Sequence, residues 1–246
     1  MDNSFTSLGY KISHGVLGST FITTLREQCI QDANLHGRRI SDLGEAETLA
    51  VNPMLETHDS LIWLGEQLLT RIMSMPDVKY LSGAVIPKYR GEGRRAWHVD
   101  WWAWDMPETR WESPPAVGVL FYLNGTSATN GALLVAPGSH RRPVPDFEKS
   151  MQSFEPRYDE LALPVNAGDV VVLDSRLMHG VCENNETDVR ICVTMWFLTG
   201  WSKLSERVKA TVRLSMDTQW QSRLGKLYPN YEGNAEPLPH VKYPKF

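Results

Sequence analysis

Four residues of this chain combine the chemistry of a metal site with that of an anion clamp. His98 and Asp100 are two residues apart, so on an extended strand their side chains point to the same side. With His179 they offer two imidazoles and one carboxylate, a donor set that leaves the opposite face of an octahedral Fe(II) ion open. Arg190 follows His179 by eleven residues, and a guanidinium can grip a carboxylate through two parallel hydrogen bonds. These residues predict an open metal site and a cosubstrate that carries a carboxylate.

Strand-forming segments surround these residues. The stretch from Pro115 to His140 holds two apolar runs separated by a polar turn that contains glycine. The β-branched run Val170–Asp174 leads to His179, and the run from Val189 to Leu198 carries Arg190. If that last run is a strand, its alternating side chains place four residues on one face: Arg190, Cys192, Thr194 and Trp196. The candidate ligands are therefore expected on or beside strands.

The chain must reverse between His179 and Arg190. Asn184 and Asn185 lie at the midpoint of this stretch, and asparagine tolerates the positive φ that many turns use. The residues alone leave two alternatives open: a simple hairpin, or a crossing between two sheets.

Several motifs in these segments resemble the phytanoyl-CoA dioxygenase-like branch of the Fe(II)- and 2-oxoglutarate-dependent oxygenases. The motifs that carry the resemblance are Trp97-His98-Val99-Asp100, the run Asn130 to His140 (NGALLVAPGSH), Gly168-Asp169-Val170, and His179 with Arg190. Gly9-Tyr10, with the helix expected after it, resembles the opening of the family, so the likeness spans most of the chain.

The resemblance implies a fold and a set of cofactors. The fold is mainly β with flanking helices, built on a double-stranded β-helix core (jelly-roll, cupin-like). Fe(II) is expected at His98, Asp100 and His179, with 2-oxoglutarate and O2 as cosubstrates, and Arg190 is expected to pair with the distal carboxylate of 2-oxoglutarate. The resemblance favours a crossing between the sheets before Arg190. Lys88, ten residues before His98, falls where the family often has a lysine and is a second candidate for binding 2-oxoglutarate.

The reaction that the resemblance implies is oxidative decarboxylation of 2-oxoglutarate to succinate and CO2, coupled to oxidation of a C–H bond. Asp100 stands where halogenating relatives have a small residue, which favours hydroxylation, or desaturation or cyclisation, over halogenation. We therefore expect a dioxygenase that hydroxylates an unactivated C–H bond of a small organic molecule in secondary metabolite biosynthesis.

Other functions remain as alternatives. The same chemistry can act on an amino acid or on a carrier-linked or CoA-linked acyl group. A jelly-roll protein can also bind the metal without catalysing oxidation. A zinc hydrolase is disfavoured because such chemistry gives Arg190 no evident task and the chain offers no placed general base.

Three residues near the first ligand pair are candidates for substrate binding. On a regular strand Trp102 and Trp104 would share the face of Asp100 and could wall a pocket, although core or lid packing explains them equally well. Arg94 could hold an anionic substrate, against the alternative of a solvated loop. For Lys88 the competing interpretation is a strand-end lysine that extends into solvent.

The length suits one oxygenase domain over residues 1–246. We expect a helical N-terminal buttress over about 1–80, with helices near Phe21 to Ala33 and Leu61 to Met75. The jelly-roll core is expected over 81–200. A helical and proline-rich C-terminal segment is expected over 201–246.

Composition and charge exclude some classes of partner. A net charge of −4 gives no reason to expect nucleic acid or an acidic membrane surface. No apolar run approaches the roughly 20 residues of a membrane span, and the N-terminus lacks a signal-peptide pattern, so a cytoplasmic enzyme with a small-molecule substrate is expected. Cys29, Cys182 and Cys192 are expected to be packed thiols. The sequence does not indicate an oligomeric state.

Overall fold

The structure is a computed structural model that describes residues 3–36, 38–41, 47–50, 59–75, 77–100, 114–141 and 153–206. Its helices are α1 (Asn3–Leu8), α2 (Ser19–His36) and α3 (Asp59–Gln67), with a π-helical turn at Leu68–Ile72 and 3-10 turns at Ser139–Arg141 and Trp201–Lys203. Its strands are β1 (Tyr10–Ser13), β2 (Arg38–Ser41), β3 (Glu47–Ala50), β4 (Lys79–Lys88), β5 (Arg95–His98), β6 (Ala116–Tyr122), β7 (Leu133–Val135), β8 (Leu161–Leu163), β9 (Val170–Asp174), β10 (His179–Val181) and β11 (Arg190–Leu198).

Two antiparallel sheets form the body of the protein. The larger sheet has the order β1-β9-β6-β11-β4, and the smaller has the order β5-β10-β7-β8. Strands that are consecutive in the chain, such as β6 and β7 or β10 and β11, belong to different sheets. This repeated crossing is the jelly-roll topology, and the predicted fold class is confirmed.

Alternation along the strands of the larger sheet gives it two apolar faces. On β6, Val117, Val119 and Phe121 belong to the cluster that includes helical residues. Leu120 and Tyr122 point the other way and pack with side chains of the smaller sheet. One face therefore packs on the helices, while the other faces the cavity between the sheets.

The N-terminal region is less purely helical than expected. The predicted helices correspond to α2 and to α3 with its π-helical turn, but β1 adds to the larger sheet, where Tyr10 pairs with Leu173. Strands β2 and β3 form a separate pair. Strand β1 has only four residues, Tyr10 to Ser13, so its alternation of apolar and polar side chains is too short to predict a strand. Most of the predicted C-terminal segment lies outside the described residues.

The reversal before Arg190 is a crossing between sheets, since β10 and β11 lie in different ones. The turn does not use a positive φ at Asn184 or Asn185, because among the described non-glycine residues only Ser74 and Asp77 adopt it. Asn184 is instead fully buried, and its amide group donates hydrogen bonds to the carbonyl oxygens of Lys88 and Asp188. The asparagine thus ties the crossing to the end of β4.

The three cysteines are buried free thiols, as predicted. Among the described residues, no helix combines the length and the apolarity that a membrane crossing requires.

Candidate metal centre

The two histidines and the aspartate predicted as ligands lie close together where β5 ends and β10 begins in the smaller sheet. His98 ends β5 and His179 begins β10, where the two residues are register partners. Asp100 Oδ1 lies 3.8 Å from His98 Nε2, and Asp100 Oδ2 lies 3.7 Å from His179 Nε2. One donor atom from each of the three residues falls within 4.8 Å of the others. This spacing lets all three bind one ion.

Backbone carbonyl groups fix both imidazole rings. His98 Nδ1 lies 2.8 Å from the carbonyl oxygen of Ala96, and His179 Nδ1 lies 2.9 Å from that of Leu177. A carbonyl oxygen can only accept, so each Nδ1 carries the hydrogen and each Nε2 presents its lone pair toward Asp100. Such outer hydrogen bonds orient metal-binding histidines.

Electrostatics also keep His98 in its metal-binding form. Burial lowers the pKa of His98 well below its usual range, and the neighbouring His179 and Arg95 lower it further. The hydrogen bond to Ala96 opposes this shift without reversing it. The ring is therefore neutral at physiological pH, as a metal ligand must be.

Asp100 lies two residues beyond the end of β5 rather than on it. Its backbone N–H donates to the carbonyl oxygen of Ser175 at 2.8 Å, which holds the chain after the strand has ended. Its Oδ2 accepts a hydrogen bond of 2.8 Å from the indole Nε1 of Trp196 on β11. Both hydrogen bonds to Asp100 thus come from the larger sheet, one from the turn after β9 and one from β11.

A buried ion pair holds the segment that orients two of the ligands. Ser175 and Leu177 supply the carbonyl oxygens that bind Asp100 and His179. Between them, Arg176 grips Asp174 through Nε at 2.9 Å and Nη2 at 2.7 Å, with both side chains almost fully buried. This two-point contact fixes the turn after β9.

A β-bulge in the pairing of β5 with β10 brings the side chain of Arg95 to the cleft that the candidate ligands line. His179 pairs with His98, whereas Val181 pairs with Arg95, so β5 has one more residue than β10 over the same interval. Gly180 faces the bulge, where a Cβ atom would lie 2.9 Å from the carbonyl oxygen of Arg95. The extra residue allows both Arg95 and His98 to line the same cleft.

Arg190 begins β11 and lines the same cleft as the three ligands. It is 4% exposed, and Nη1 donates to the carbonyl oxygen of Ile86 at 3.2 Å, but Nε has no hydrogen-bond partner in the part of the chain that the structure describes. Within the described residues, Arg190 makes no ion pair, including with Glu183 or Asp188. A buried guanidinium with an unused donor fits an anionic ligand such as the predicted carboxylate.

Lys88 pairs with Arg190 across β4 and β11 and is equally buried. Its Nζ donates to the carbonyl oxygen of Gly93, so it does not extend into solvent. Burial lowers the pKa of Lys88 to about 8, with Arg190 and Arg95 adding to the shift and Glu92 opposing it. Lys88 lies beside the clamp, while its role toward 2-oxoglutarate stays a prediction.

Gly131, in the motif after β6, makes room for these two cations. Its φ is +84°, and a Cβ atom there would lie 3.1 Å from both Arg190 Nε and Lys88 Cγ. A side chain at this position would therefore be strained and would press on the clamp.

Of the three predicted substrate-binding residues, the structure describes only Arg94. Trp102 and Trp104 lie outside the described residues. Arg94 is not part of the cleft lining, and its guanidinium pairs with Glu160 at 2.7 Å. The neighbouring Arg95 lines the cleft instead, together with Tyr122 and Trp196. The place of Arg95 in the lining did not follow from the sequence, because alternation cannot anticipate a bulge.

The protein is a jelly roll in which His98, Asp100 and His179 form a candidate metal site. Residues 16–192 match the model of the Phytanoyl-CoA dioxygenase (PhyH) family. The protein belongs to this family of Fe(II)- and 2-oxoglutarate-dependent oxygenases, as its motifs predicted, and the predicted cofactors Fe(II), 2-oxoglutarate and O2 agree with it.

One curated relative is the ectoine dioxygenase of Nocardia farcinica, 30% identical over 120 residues, which are 40% of this chain and 40% of the relative. The match thus spans less than half the length of that relative.

Solved structures share the fold at low sequence identity. The carbocyclase SnoK from nogalamycin biosynthesis, described as non-haem and α-ketoglutarate dependent, is 22% identical with a TM-score of 0.61, covering 79% of this chain and 81% of SnoK. HygX from Streptomyces hygroscopicus, solved with nickel and 2-oxoglutarate, is 17% identical with a TM-score of 0.61, covering 80% of this chain and 85% of HygX. These likenesses establish the fold.

Proposed function

We propose that this oxygenase hydroxylates an unactivated C–H bond of a small organic molecule in secondary metabolite biosynthesis, with succinate and CO2 as coproducts. The proposal is supported by two features of one cleft: ligand atoms of His98, Asp100 and His179 lie within 4.8 Å of one another, and the buried Arg190 has no ion-pair partner among the described residues. The cleft thus offers a metal site and an anion site side by side.

The metal would bind residues of the smaller sheet and the segment after β5, whereas 2-oxoglutarate would bind residues of the larger sheet. His98, Asp100 and His179 would hold Fe(II), which when bound with 2-oxoglutarate and O2 supplies an oxidant strong enough to break a C–H bond. Arg190 would pair with the distal carboxylate of 2-oxoglutarate, and Lys88 would add positive charge beside it. The apolar lining, including Leu120, Leu133 and Leu173, limits the access of water to the cleft.

The substrate side of the proposal rests on fewer observations. We propose that Trp102 and Trp104 wall the pocket, and that Arg94 has a role in substrate binding only if its pair with Glu160 opens. We expect a small molecule as partner, no nucleic acid and no membrane surface, and a cytoplasmic location.

Cyclisation or desaturation by the same oxidant is the second candidate. It is favoured by the shared fold with a carbocyclase of antibiotic biosynthesis. The part-length likeness to an ectoine dioxygenase favours hydroxylation of a small polar molecule. Mass analysis of the product separates them, because hydroxylation adds one oxygen atom whereas desaturation and ring closure remove two hydrogens.

The test is succinate release. The purified protein is supplied with Fe(II), 2-oxoglutarate and O2, together with fractions of small-molecule extract, and succinate is measured against His179→Ala. Succinate that depends on one fraction supports the proposal and leads to the substrate. Succinate at background level from the wild type with every fraction, as from His179→Ala, would contradict it and leave a non-catalytic metal-binding jelly roll.

A further inference from the structure

One hydrogen bond joins the two sheets directly across the metal centre. The indole Nε1 of Trp196 donates to Asp100 Oδ2 at 2.8 Å. Trp196 lies on β11 of the larger sheet, whereas Asp100 follows β5 of the smaller sheet. Both side chains line the cleft.

The carboxylate of Asp100 needs such a partner because its own backbone does not fix its rotation. The N–H of Asp100 is held by Ser175, but the terminal torsion of an aspartate is broad and roughly two-fold. An indole N–H is a donor only, so it selects one carboxylate oxygen and occupies one of its lone pairs. Both oxygens lie close to an imidazole, Oδ1 at 3.8 Å from His98 Nε2 and Oδ2 at 3.7 Å from His179 Nε2, but Oδ2 is the one that accepts the indole N–H.

We propose that Trp196 is a positioning residue that makes Asp100 a one-oxygen ligand: the indole holds Oδ2 and leaves Oδ1 for the metal. A carboxylate that bound through both oxygens would take two coordination positions. Holding one oxygen keeps a further position open for the cosubstrates. This inference rests on the proposed function, because it concerns the same metal centre.

The placement of Trp196 on β11 links the metal site to the anion site. Arg190 and Trp196 lie six residues apart on the same strand face, a distance of roughly 20 Å along the backbone at about 3.3 Å per residue. One rigid strand thus carries the clamp near one end and the support of the metal-binding carboxylate near the other.

The experiment measures Co(II) binding to the metal-free protein without O2, since Co(II) absorption reports both affinity and coordination. The wild type is compared with Trp196→Phe, which removes the donor, and Trp196→Gln, which keeps an N–H of similar reach. Trp63→Phe, at a 58% exposed position on α3, is the matched control.

We expect Trp196→Phe to raise the Co(II) dissociation constant about 10- to 100-fold, the usual effect of losing an outer hydrogen bond to a metal ligand. Its Co(II) absorption bands should also change, while Trp196→Gln recovers part of the affinity and Trp63→Phe matches the wild type. Wild-type affinity and an unchanged spectrum in Trp196→Phe would overturn the inference.

A measurement on the wild type covers the case in which Trp196→Phe does not fold. The indole N–H signal of Trp196 is identified in the NMR spectrum by its absence from the spectrum of Trp196→Gln. We expect it to be protected from solvent exchange, and exchange as fast as that of an exposed indole would overturn the inference.

The two proposals fail in different ways. A wild type that binds Co(II) but releases no succinate overturns the proposed function, while the comparison of variants still decides the role of Trp196. A wild type that releases succinate, with Trp196→Phe equal to it in Co(II) binding, overturns the role of Trp196 alone.

Discussion

At the residue scale, the candidate ligands are prepared before a metal binds. Carbonyl oxygens of Ala96 and Leu177 fix the tautomers of His98 and His179, and burial keeps His98 neutral. Binding therefore requires little reorganisation of these rings, which preserves affinity.

Replacing a ligand should abolish turnover without unfolding the protein. His98→Ala, Asp100→Ala and His179→Ala each remove one of three metal contacts, while the apolar clusters that stabilise the fold lie elsewhere. Succinate release should fall to background, and circular dichroism should retain the wild-type spectrum. His14→Ala, at a largely exposed histidine outside the site, is the control. Full activity in any of the three ligand variants would refute that ligand.

Arg190→Lys should weaken the binding of 2-oxoglutarate while keeping the positive charge. A lysine cannot make the two-point contact, and the lost charged hydrogen bonding costs roughly 1.5 to 3 kcal/mol. Calorimetric titration of the Fe(II)-loaded protein without O2 measures the effect. Arg71→Lys, at an exposed position on the π-helical turn and outside the cleft lining, should bind like the wild type. An unchanged dissociation constant in Arg190→Lys would mean that another residue binds the distal carboxylate of 2-oxoglutarate.

At the element scale, the sequence predicted the strands that carry chemistry but not their irregularities. The β-branched runs of β9 and β11 have strong periodicity, and Arg190, Cys192, Thr194 and Trp196 line the cleft as alternation predicted. The bulge that brings Arg95 into the cleft arises where β5 pairs with β10. These strands are far apart in the chain, so the local sequence around Arg95 does not reveal the bulge. The partner of Asp100 likewise comes from a strand 96 residues away.

Gly180→Ala should damage the metal centre through the bulge. The new Cβ would lie 2.9 Å from the carbonyl oxygen of Arg95, so β5 and β10 must move apart at the point where His98 and His179 meet. We expect weaker Co(II) binding and a lower melting temperature. Gly18→Ala, where a Cβ meets nothing within 4 Å, is the matched control. Wild-type metal affinity in Gly180→Ala would show that the bulge does not matter to the site.

Arg176→Met should strongly destabilise the turn after β9. It leaves the Asp174 carboxylate buried without its partner, which costs about 3 to 5 kcal/mol of unfolding free energy, measured by urea denaturation. The double variant Asp174→Leu/Arg176→Met removes the uncompensated charge and should regain part of the loss. Additive losses in the double variant would show that the pair is not coupled.

At the scale of the whole molecule, the two sheets hold different parts of one site. The smaller sheet carries His98 and His179, the larger sheet carries Arg190, and a cosubstrate bound to both would join them. The motifs predicted this division because the resemblance placed the crossing before Arg190. The substrate could not be predicted, since specificity depends on side chains from several loops rather than on a motif.

Metal and 2-oxoglutarate should therefore stabilise the protein together more than separately. A ligand that binds only the folded state adds about 2.7 kcal/mol at 100 times its dissociation constant. Thermal unfolding without O2 should show a large shift for 2-oxoglutarate only when Co(II) is present, and none in His179→Ala. An equal shift from 2-oxoglutarate without metal would mean that the acid binds elsewhere.

The most direct test of the account is an anaerobic titration of the metal-free protein with Fe(II) and then 2-oxoglutarate, followed by visible absorption. If His98, Asp100, His179 and Arg190 form one site, a weak metal-to-ligand charge-transfer band appears on adding 2-oxoglutarate and is absent from His179→Ala. Iron that binds the wild type without producing this band on addition of 2-oxoglutarate would contradict the assignment.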